Sequence, residues 1–227
     1  MLLNQTDDLN SAMTLAHELG HAMHSYMSNT HQPYAKAGYS LFVAEVASTC
    51  NEALLMEHLL AKTTDKKERA YLINHFLEQF KSTLYRQTMF AEFELNIGRM
   101  AKEGQTLTAE VLSAEYRRLN EMYFGPDMVI DEEIALEWAR IPHFYYNYYV
   151  FQYATGYSAA IALSRRILRE GESAVQDYLG FLSGGCSKSP IDLLKGAGVD
   201  MTSPEPVNQA LQLFGELLDE MEQLVQD

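Results

Sequence analysis

The sequence predicts an all-α protein. Apolar residues recur every three to four positions through most of its 227 residues, which is the spacing of one face of an α-helix. Alternating patterns typical of strands are nearly absent, and the best of them covers only the first few residues. The chain is 47% hydrophobic and 21% charged, so it has enough apolar material for a buried core. It contains no heptad array and no internal repeat.

The first predicted helix begins at Asp7 or Asp8, either of which can cap it, and ends near Met27. Its apolar stripe consists of Leu15, Leu19, Ala22, Met23 and Tyr26. The segment 29–38 contains proline and glycine and is predicted to be a loop. A second helix, rich in Ala, Leu and Met, is expected over about 41–60.

Three further helices follow, each with its own stop signal. A long helix over about 66–102 ends before Gly104, which suits a C-terminal cap. The next covers 108–123 and is ended by a Gly-Pro pair. A short acidic helix over 131–140 stops before Pro142, because the residue before a proline is biased away from helical geometry.

The last part of the chain begins with a cluster of tyrosines. Six of them fall within residues 143–157, and the segment continues to 171 as an arginine-rich amphipathic helix. Residues 183–187 are predicted to be a loop. Ser189-Pro190 starts a short helix, since proline is favoured in a first turn, and 208–225 forms the last helix.

The charge and the cysteines exclude several functional classes. Seventeen Lys and Arg against 31 Asp and Glu give a net charge of −14, which argues against nucleic acid or an anionic membrane as the main partner. Two cysteines, Cys50 and Cys186, are too few for a disulfide framework, and Cys50 is expected to be a buried free thiol. No apolar run spans a bilayer and no signal peptide is apparent, so a cytoplasmic protein is expected.

The strongest chemical signal is His17-Glu18-Leu19-Gly20-His21 in the first predicted helix. Two histidines four positions apart stand about 40° from each other around a helix, so both imidazoles can reach one metal ion. Glu18 lies beside that pair, where it can serve as the base of metal-assisted peptide hydrolysis. The pattern therefore predicts one catalytic zinc per chain and a zincin-type helical domain whose active-site helix lies near the N-terminus.

A catalytic zinc usually has three protein ligands, so a third is needed. The downstream candidates are His24, His31, Glu45, Glu52, Glu57 and His58. Glu45 is preferred because it interrupts an apolar stretch in which an unpaired carboxylate would be costly to bury. His24 shares the helix face of both histidines and is expected to have a packing or outer role. Met27 stands where the metzincin pattern requires a third histidine, which excludes that pattern.

Glu52 lies two helical turns after Glu45 on the same face, so it is expected to orient a histidine ligand from behind. The alternative is that Glu52 is an ordinary, partly exposed helix carboxylate.

The residues resemble oligoendopeptidase F, the bacterial branch of the thimet oligopeptidase family of zinc peptidases. The resemblance is carried by AHELGHAMHS at 16–25, FVAEVAST at 42–49 and NE at 51–52, and it extends through QPY at 32–34 and the tyrosine-rich segment. It implies that His17, His21 and Glu45 bind zinc and that Glu18 is the general base. Short peptides are the implied substrates.

The resemblance also implies roles for the tyrosine-rich segment, which in the family hydrogen-bonds the substrate and the developing oxyanion. His143 is the matching histidine, with Tyr148 as a catalytic donor and Tyr153 and Tyr157 as substrate-binding residues. Aromatic core packing is the alternative for each tyrosine.

Members of this family are much longer than 227 residues, so residues 1–227 are expected to form the C-terminal catalytic domain without the N-terminal portion. Self-association through the face that portion would cover is then expected. Two alternatives to a working peptidase are a zinc-binding but catalytically impaired fragment and a purely structural helical domain.

Overall fold

The computed structural model describes residues 2–226, and within this range every regular element is helical. The helices are α1 Leu9–His31, α2 Tyr34–Ala37, α3 Leu41–Lys62, α4 Lys66–Gln79, α5 Arg86–Lys102, α6 Ala109–Phe124, α7 Phe151–Glu170, α8 Glu172–Leu182, α9 Pro190–Gly196 and α10 Glu205–Gln226. Two 3₁₀ helices cover Glu132–Arg140 and Pro142–Tyr145. The predicted all-α class is confirmed. None of the described helices is both long and apolar enough to cross a membrane.

Helix boundaries follow local capping chemistry. Asp8 caps α1 by accepting the Ser11 amide at 2.7 Å, so the later of the two predicted caps is used. The predicted loop 29–38 is partly helical, because α1 continues to His31 and α2 follows. The predicted helix 66–102 contains a π-helical segment, Phe80–Tyr85, between α4 and α5. Helix α8 lies in a stretch for which no element was predicted.

The chain divides into two compact units. The first combines Met1–Phe80 with Thr155–Asp227, of which 2–80 and 155–226 are described, and the second is Lys81–Ala154. The core of the first unit joins α3, α7, α8 and α9. Its buried members include Val46, Ala47, Cys50, Ala160, Leu163, Phe181 and Leu194. Cys50 is a fully buried free thiol, as predicted, and burial raises its pKa to about 12.

Helices α1 and α3 of the first unit pack closely because Gly20 has no side chain. A Cβ at position 20 would lie 2.5 Å from the Ser48 Cα and 2.7 Å from the Ala47 carbonyl oxygen. The Asn51 amide donates a hydrogen bond to the Ala16 carbonyl across the same contact, at 2.6 Å. Apart from Met13, the buried residues of α1 are small or polar, whereas the predicted apolar stripe is largely exposed, with Tyr26 64% exposed.

The Gly20→Ala substitution is expected to destabilise the fold, because the two backbones must move apart to admit the methyl group. The cost to packing is expected to be about 1–3 kcal/mol, as for other overpacked cores. Urea unfolding of the variant and of the parent tests this. Gly215→Ala is the control, because nothing lies within 4 Å of a Cβ at that helical position. A Gly20→Ala protein with parental stability would contradict the expectation.

The second unit is built around Phe90, Phe93, Tyr116 and Leu119, where α5 packs on α6. A buried carboxylate, Glu137, lies at its edge. It accepts the Tyr116 hydroxyl at 2.6 Å and pairs with Arg86 and Arg140. Burial raises the pKa of Glu137, but the Tyr116 hydrogen bond and the two guanidinium groups outweigh it and hold the pKa below its ordinary value.

Because the folded-state pKa of Glu137 is lowered, its ionised form stabilises the fold at neutral pH. That contribution is present above the ordinary pKa of a glutamate and is lost as pH falls through the lowered value. We expect Glu137→Gln to cost about 1–3 kcal/mol at pH 7 and less at pH 3, which lies below the ordinary pKa of a glutamate. Urea unfolding at both pH values tests this, and a pH-independent difference would contradict it.

Candidate metal centre

Helices α1 and α3 bring three donor groups together in the first unit. The Nε2 atoms of His17 and His21 lie 3.2 Å apart, one turn from each other on α1. The Glu45 Oε2 of α3 lies 3.3 Å from the His17 Nε2 and 3.5 Å from the His21 Nε2. Zinc–nitrogen bonds of about 2.0–2.1 Å in tetrahedral geometry place neighbouring donors about 3.3–3.4 Å apart. The three donors therefore have the spacing of one face of a zinc tetrahedron.

This donor set fits zinc in its chemistry as well as its spacing. Two imidazoles and one carboxylate leave a fourth position open, as catalytic zinc sites require. Among residues 2–226, it is the one group of three or more His, Cys, Asp or Glu with donor atoms all within 4.8 Å. His31, Glu57 and His58, three of the candidates that the sequence left open, lie outside it.

Glu52 lies on the far side of His17. Its Oε2 is 3.4 Å from the His17 Nδ1, so an Nδ1–H would point at the carboxylate and Nε2 would be free to bind metal. Burial lowers the pKa of His17, but the hydrogen bonds to Glu45 and Glu52 outweigh it and raise the pKa to about 10. The pocket therefore stabilises positive charge at the position of the imidazole.

Glu45 is itself held in place on α3. The Ser48 hydroxyl donates to the Glu45 Oε2 at 3.1 Å. The hydrogen bond with His17 lowers the pKa of Glu45 against the opposing effect of burial, and the charges of His21 and His17 add to this lowering. The carboxylate is therefore ionised and oriented toward the two histidines.

His24 has a packing role, as predicted. Its ring is 1% exposed and stacks on Tyr39 with centroids 3.6 Å apart. Burial lowers the pKa of His24 to about 4, so the ring is neutral in this environment.

Glu18 follows His17 on α1 and is half-buried.

The structure places the remaining predicted site residues in both units. His143, Tyr148 and Tyr153 belong to the second unit, where the Tyr153 hydroxyl is 3.5 Å from the His143 Nε2. The rings of Tyr146, Tyr149 and Tyr153 surround His143 with centroids 5.7–6.0 Å away.

Tyr157 belongs to the first unit and is 3% exposed, with its ring edge-on to Phe80 at 4.9 Å. Burial raises the pKa of Tyr157 well above its ordinary value, and the nearby Glu52 carboxylate adds to this. Its burial favours the core-packing alternative for this tyrosine over contact with substrate.

Sequence reasoning missed three residues that build the centre: Gly20, Ser48 and Asn51. Gly20 permits the approach of α3, Ser48 holds Glu45, and Asn51 joins the helices. Gly20 could have been recognised in the sequence, because a glycine weakens a helix interior and often marks a place where another backbone passes close by.

An all-α fold with two histidines and a glutamate converging from two helices defines the class of helical, zincin-type metallopeptidases. The chain belongs to Peptidase family M3, whose family model matches residues 1–213.

Three relatives illustrate the similarity. Oligopeptidase PepF of Bacillus subtilis (strain 168) is 60% identical over 99% of this chain and 34% of its own length. The chromosomal oligoendopeptidase F of Lactococcus lactis subsp. cremoris is 46% identical over the whole chain and 38% of its own length. The crystal structure of oligoendopeptidase-F from Enterococcus faecium matches with a TM-score of 0.86 and 46% identity, covering 96% of this chain and 40% of that one. The chain thus spans about a third of the length of the curated relatives it matches.

Proposed function

We propose that this chain is a zinc-dependent metalloendopeptidase domain that hydrolyses short oligopeptides. The observation that carries the proposal is the triangle of donor atoms from His17, His21 and Glu45, with sides of 3.2–3.5 Å. The names of its relatives, oligopeptidase and oligoendopeptidase F, support peptides as the substrate class. On this proposal residues 1–227 form the catalytic domain and bind one zinc ion.

The zinc ligands, Glu18 and Glu52 have separate roles in the proposed peptide hydrolysis. His17, His21 and Glu45 would hold a zinc ion, which would supply Lewis acidity and would lower the pKa of water to near neutral. Glu18 accepts the proton of the attacking water and returns it to the leaving amine. Glu52 keeps the His17 proton on Nδ1.

The tyrosine-rich segment supplies hydrogen-bond donors in this proposal. His143 and Tyr148 donate to the oxyanion that develops on the scissile carbonyl, and Tyr153 binds the substrate backbone. The ring contacts of His143 and its proximity to Tyr153 support the assignment, because they restrict the motion of the imidazole.

An exposed apolar surface on α1 supports self-association as a further part of the proposal. Leu19, Met23 and Tyr26 are 44%, 47% and 64% exposed, and they follow one another at helical spacing. Concentration-dependent sedimentation of the parent and of Met23→Lys tests this, and a monomer at all concentrations would contradict it.

Zinc stoichiometry and cleavage of an internally quenched fluorescent peptide, with and without chelator, test the proposal. One zinc per chain with chelator-sensitive cleavage is the expected result. One zinc without cleavage would support the alternative of a zinc-binding but impaired domain, consistent with a chain that spans about a third of its relatives. Absence of zinc after reconstitution would leave only the purely structural alternative.

The role proposed for Glu52 has its own test. We expect Glu52→Ala to lower zinc affinity by about 10–100-fold, the usual cost of losing a partner that orients a metal-binding histidine. Glu57→Ala on the same helix is the matched control, because Glu57 lies outside the donor group. Equal zinc affinities for the two variants, measured by competition with a chromophoric chelator, would remove Glu52 from the centre.

A further inference from the structure

The tyrosine-rich segment contains a strained turn. Asn147 and Tyr148 both have left-handed backbone geometry, with φ values of 53° and 61°. Residues other than glycine rarely adopt this geometry, and two in succession are rarer still. Such a conformation persists only where the surrounding structure holds it in place. The contacts of these two residues within the second unit therefore indicate what holds the turn.

One such contact is made by Glu94 on α5. This glutamate is 5% exposed, and its Oε1 accepts the backbone N–H of Tyr148 at 3.1 Å. Burial raises the pKa of Glu94 above its ordinary value, and the backbone amides of Tyr148 and Val150 offset this only in part. Burying a carboxylate is costly unless hydrogen bonds compensate. The hydrogen bond from the Tyr148 amide supplies part of that compensation, and it links the turn to α5.

The other contact is made by Gly98, one helical turn after Glu94. A Cβ at position 98 would collide with the Tyr148 hydroxyl, whereas the next nearest atom, the Cζ of the same ring, would be 3.6 Å away. The phenol end of Tyr148 thus rests directly on the α5 backbone. Glycine weakens a helix interior. At position 98 the missing side chain leaves room for one atom, the hydroxyl oxygen of Tyr148.

We propose that Glu94 and Gly98 are positioning residues for Tyr148. Glu94 fixes the backbone of the turn, and Gly98 provides the space in which the hydroxyl lies. Helix α5 thereby sets the direction in which the half-exposed Tyr148 presents its phenol. The catalytic consequence rests on the proposed function, in which Tyr148 donates a hydrogen bond to substrate, but the geometric part does not depend on it.

A double-mutant cycle between Gly98→Ala and Tyr148→Phe tests the contact at Gly98 without any activity measurement. With phenylalanine at position 148 the colliding oxygen is absent, so Gly98→Ala should raise the folding equilibrium constant about fivefold, the usual gain from replacing a helical glycine. With tyrosine present, the collision should remove most of that gain. Gly215→Ala is the control and should give the same gain in both backgrounds. Equal effects of Gly98→Ala in the two backgrounds would overturn the inference.

Hydrogen exchange at the Tyr148 amide tests the contact with Glu94. Loss of a hydrogen bond to a charged group should accelerate exchange about 10–100-fold in Glu94→Ala. Glu94→Gln keeps the shape and one acceptor oxygen, so we expect it to recover part of the protection. Glu103→Ala, an exposed position just after α5, is the control. Exchange within twofold of the parent in Glu94→Ala would overturn this part.

Steady-state kinetics then connect the positioning residues to catalysis. Gly98→Ala should lower kcat with little change in KM and unchanged zinc content, and it should have no further effect in the Tyr148→Phe background. If the parent cleaves peptides and Gly98→Ala has parental kcat, the inference fails while the proposed function stands. If the parent neither binds zinc nor cleaves, the proposed function fails, and the cycle and the exchange experiment still decide the geometry.

Discussion

The Glu18→Gln protein is expected to retain one zinc per chain and to lose about 10²–10⁴-fold in kcat, the range usual for removal of a general base. Glutamine has the size of glutamate but cannot accept a proton from the attacking water. The three donor atoms of His17, His21 and Glu45 are untouched, so metal affinity should not change. Zinc analysis and cleavage of the quenched peptide on the same preparation provide the measurement.

Two further variants make the Glu18 experiment decisive. Glu18→Asp keeps the carboxylate but shortens its reach, and we expect an activity between those of the parent and Glu18→Gln. Glu68→Gln, in the first turn of α4, is a surface control. If Glu18→Gln cleaved the peptide at the parental rate, Glu18 would not be the base.

Glu45→Ala should have the largest effect on the metal. It removes one of three protein ligands, so we expect zinc affinity to fall by more than the ~100-fold upper cost of losing an outer partner such as Glu52. Activity should fall in parallel and return in part at high zinc concentration. Competition titration against a chelator of known affinity measures the first effect, and a zinc series in the peptide assay measures the second.

Glu45→Gln provides the graded comparison for this experiment. It keeps a carbonyl oxygen near the two histidines but loses the negative charge, so its zinc affinity should lie between those of Glu45→Ala and the parent. Unchanged zinc retention in Glu45→Ala would transfer the third ligand position to another residue, with Glu52, which contacts the His17 Nδ1, the next candidate.

Much of this architecture was predictable because helices are specified locally. Asp8 and Thr108 cap α1 and α6 through their own side chains, and both signals are visible in the sequence. The spacing of His17 and His21 fixes their relation on one helix whatever packs against it. Glu45 was predictable as a partner because an unpaired carboxylate in an apolar stretch of α3 needs a compensating group.

Other features depend on distances that no local pattern encodes. The apolar stripe of α1 looks like a core face, yet Gly20, His24 and Ser28 are buried instead. Gly20 lies against the α3 backbone, His24 stacks on Tyr39, and Ser28 donates to the Ala37 carbonyl. The π-helical segment Phe80–Tyr85 lies inside what is otherwise a continuous helical pattern. Tyr157 shares the tyrosine-rich segment with Tyr148, but only the fold separates a buried ring from a half-exposed one.

The sequence by itself therefore determined the helical class, the two histidines and the adjacent glutamate, because the position of a residue around a helix follows from spacing alone. It also determined a short list of third ligands. Only the tertiary structure decided that Glu45 lies 3.3 Å from His17, that Glu52 lies behind the same ring, and that Gly98 and Glu94 hold Tyr148. These contacts join residues distant in sequence. Their distances depend on how closely two backbones approach, and at Gly20 and Gly98 that approach is set by the absence of a side chain.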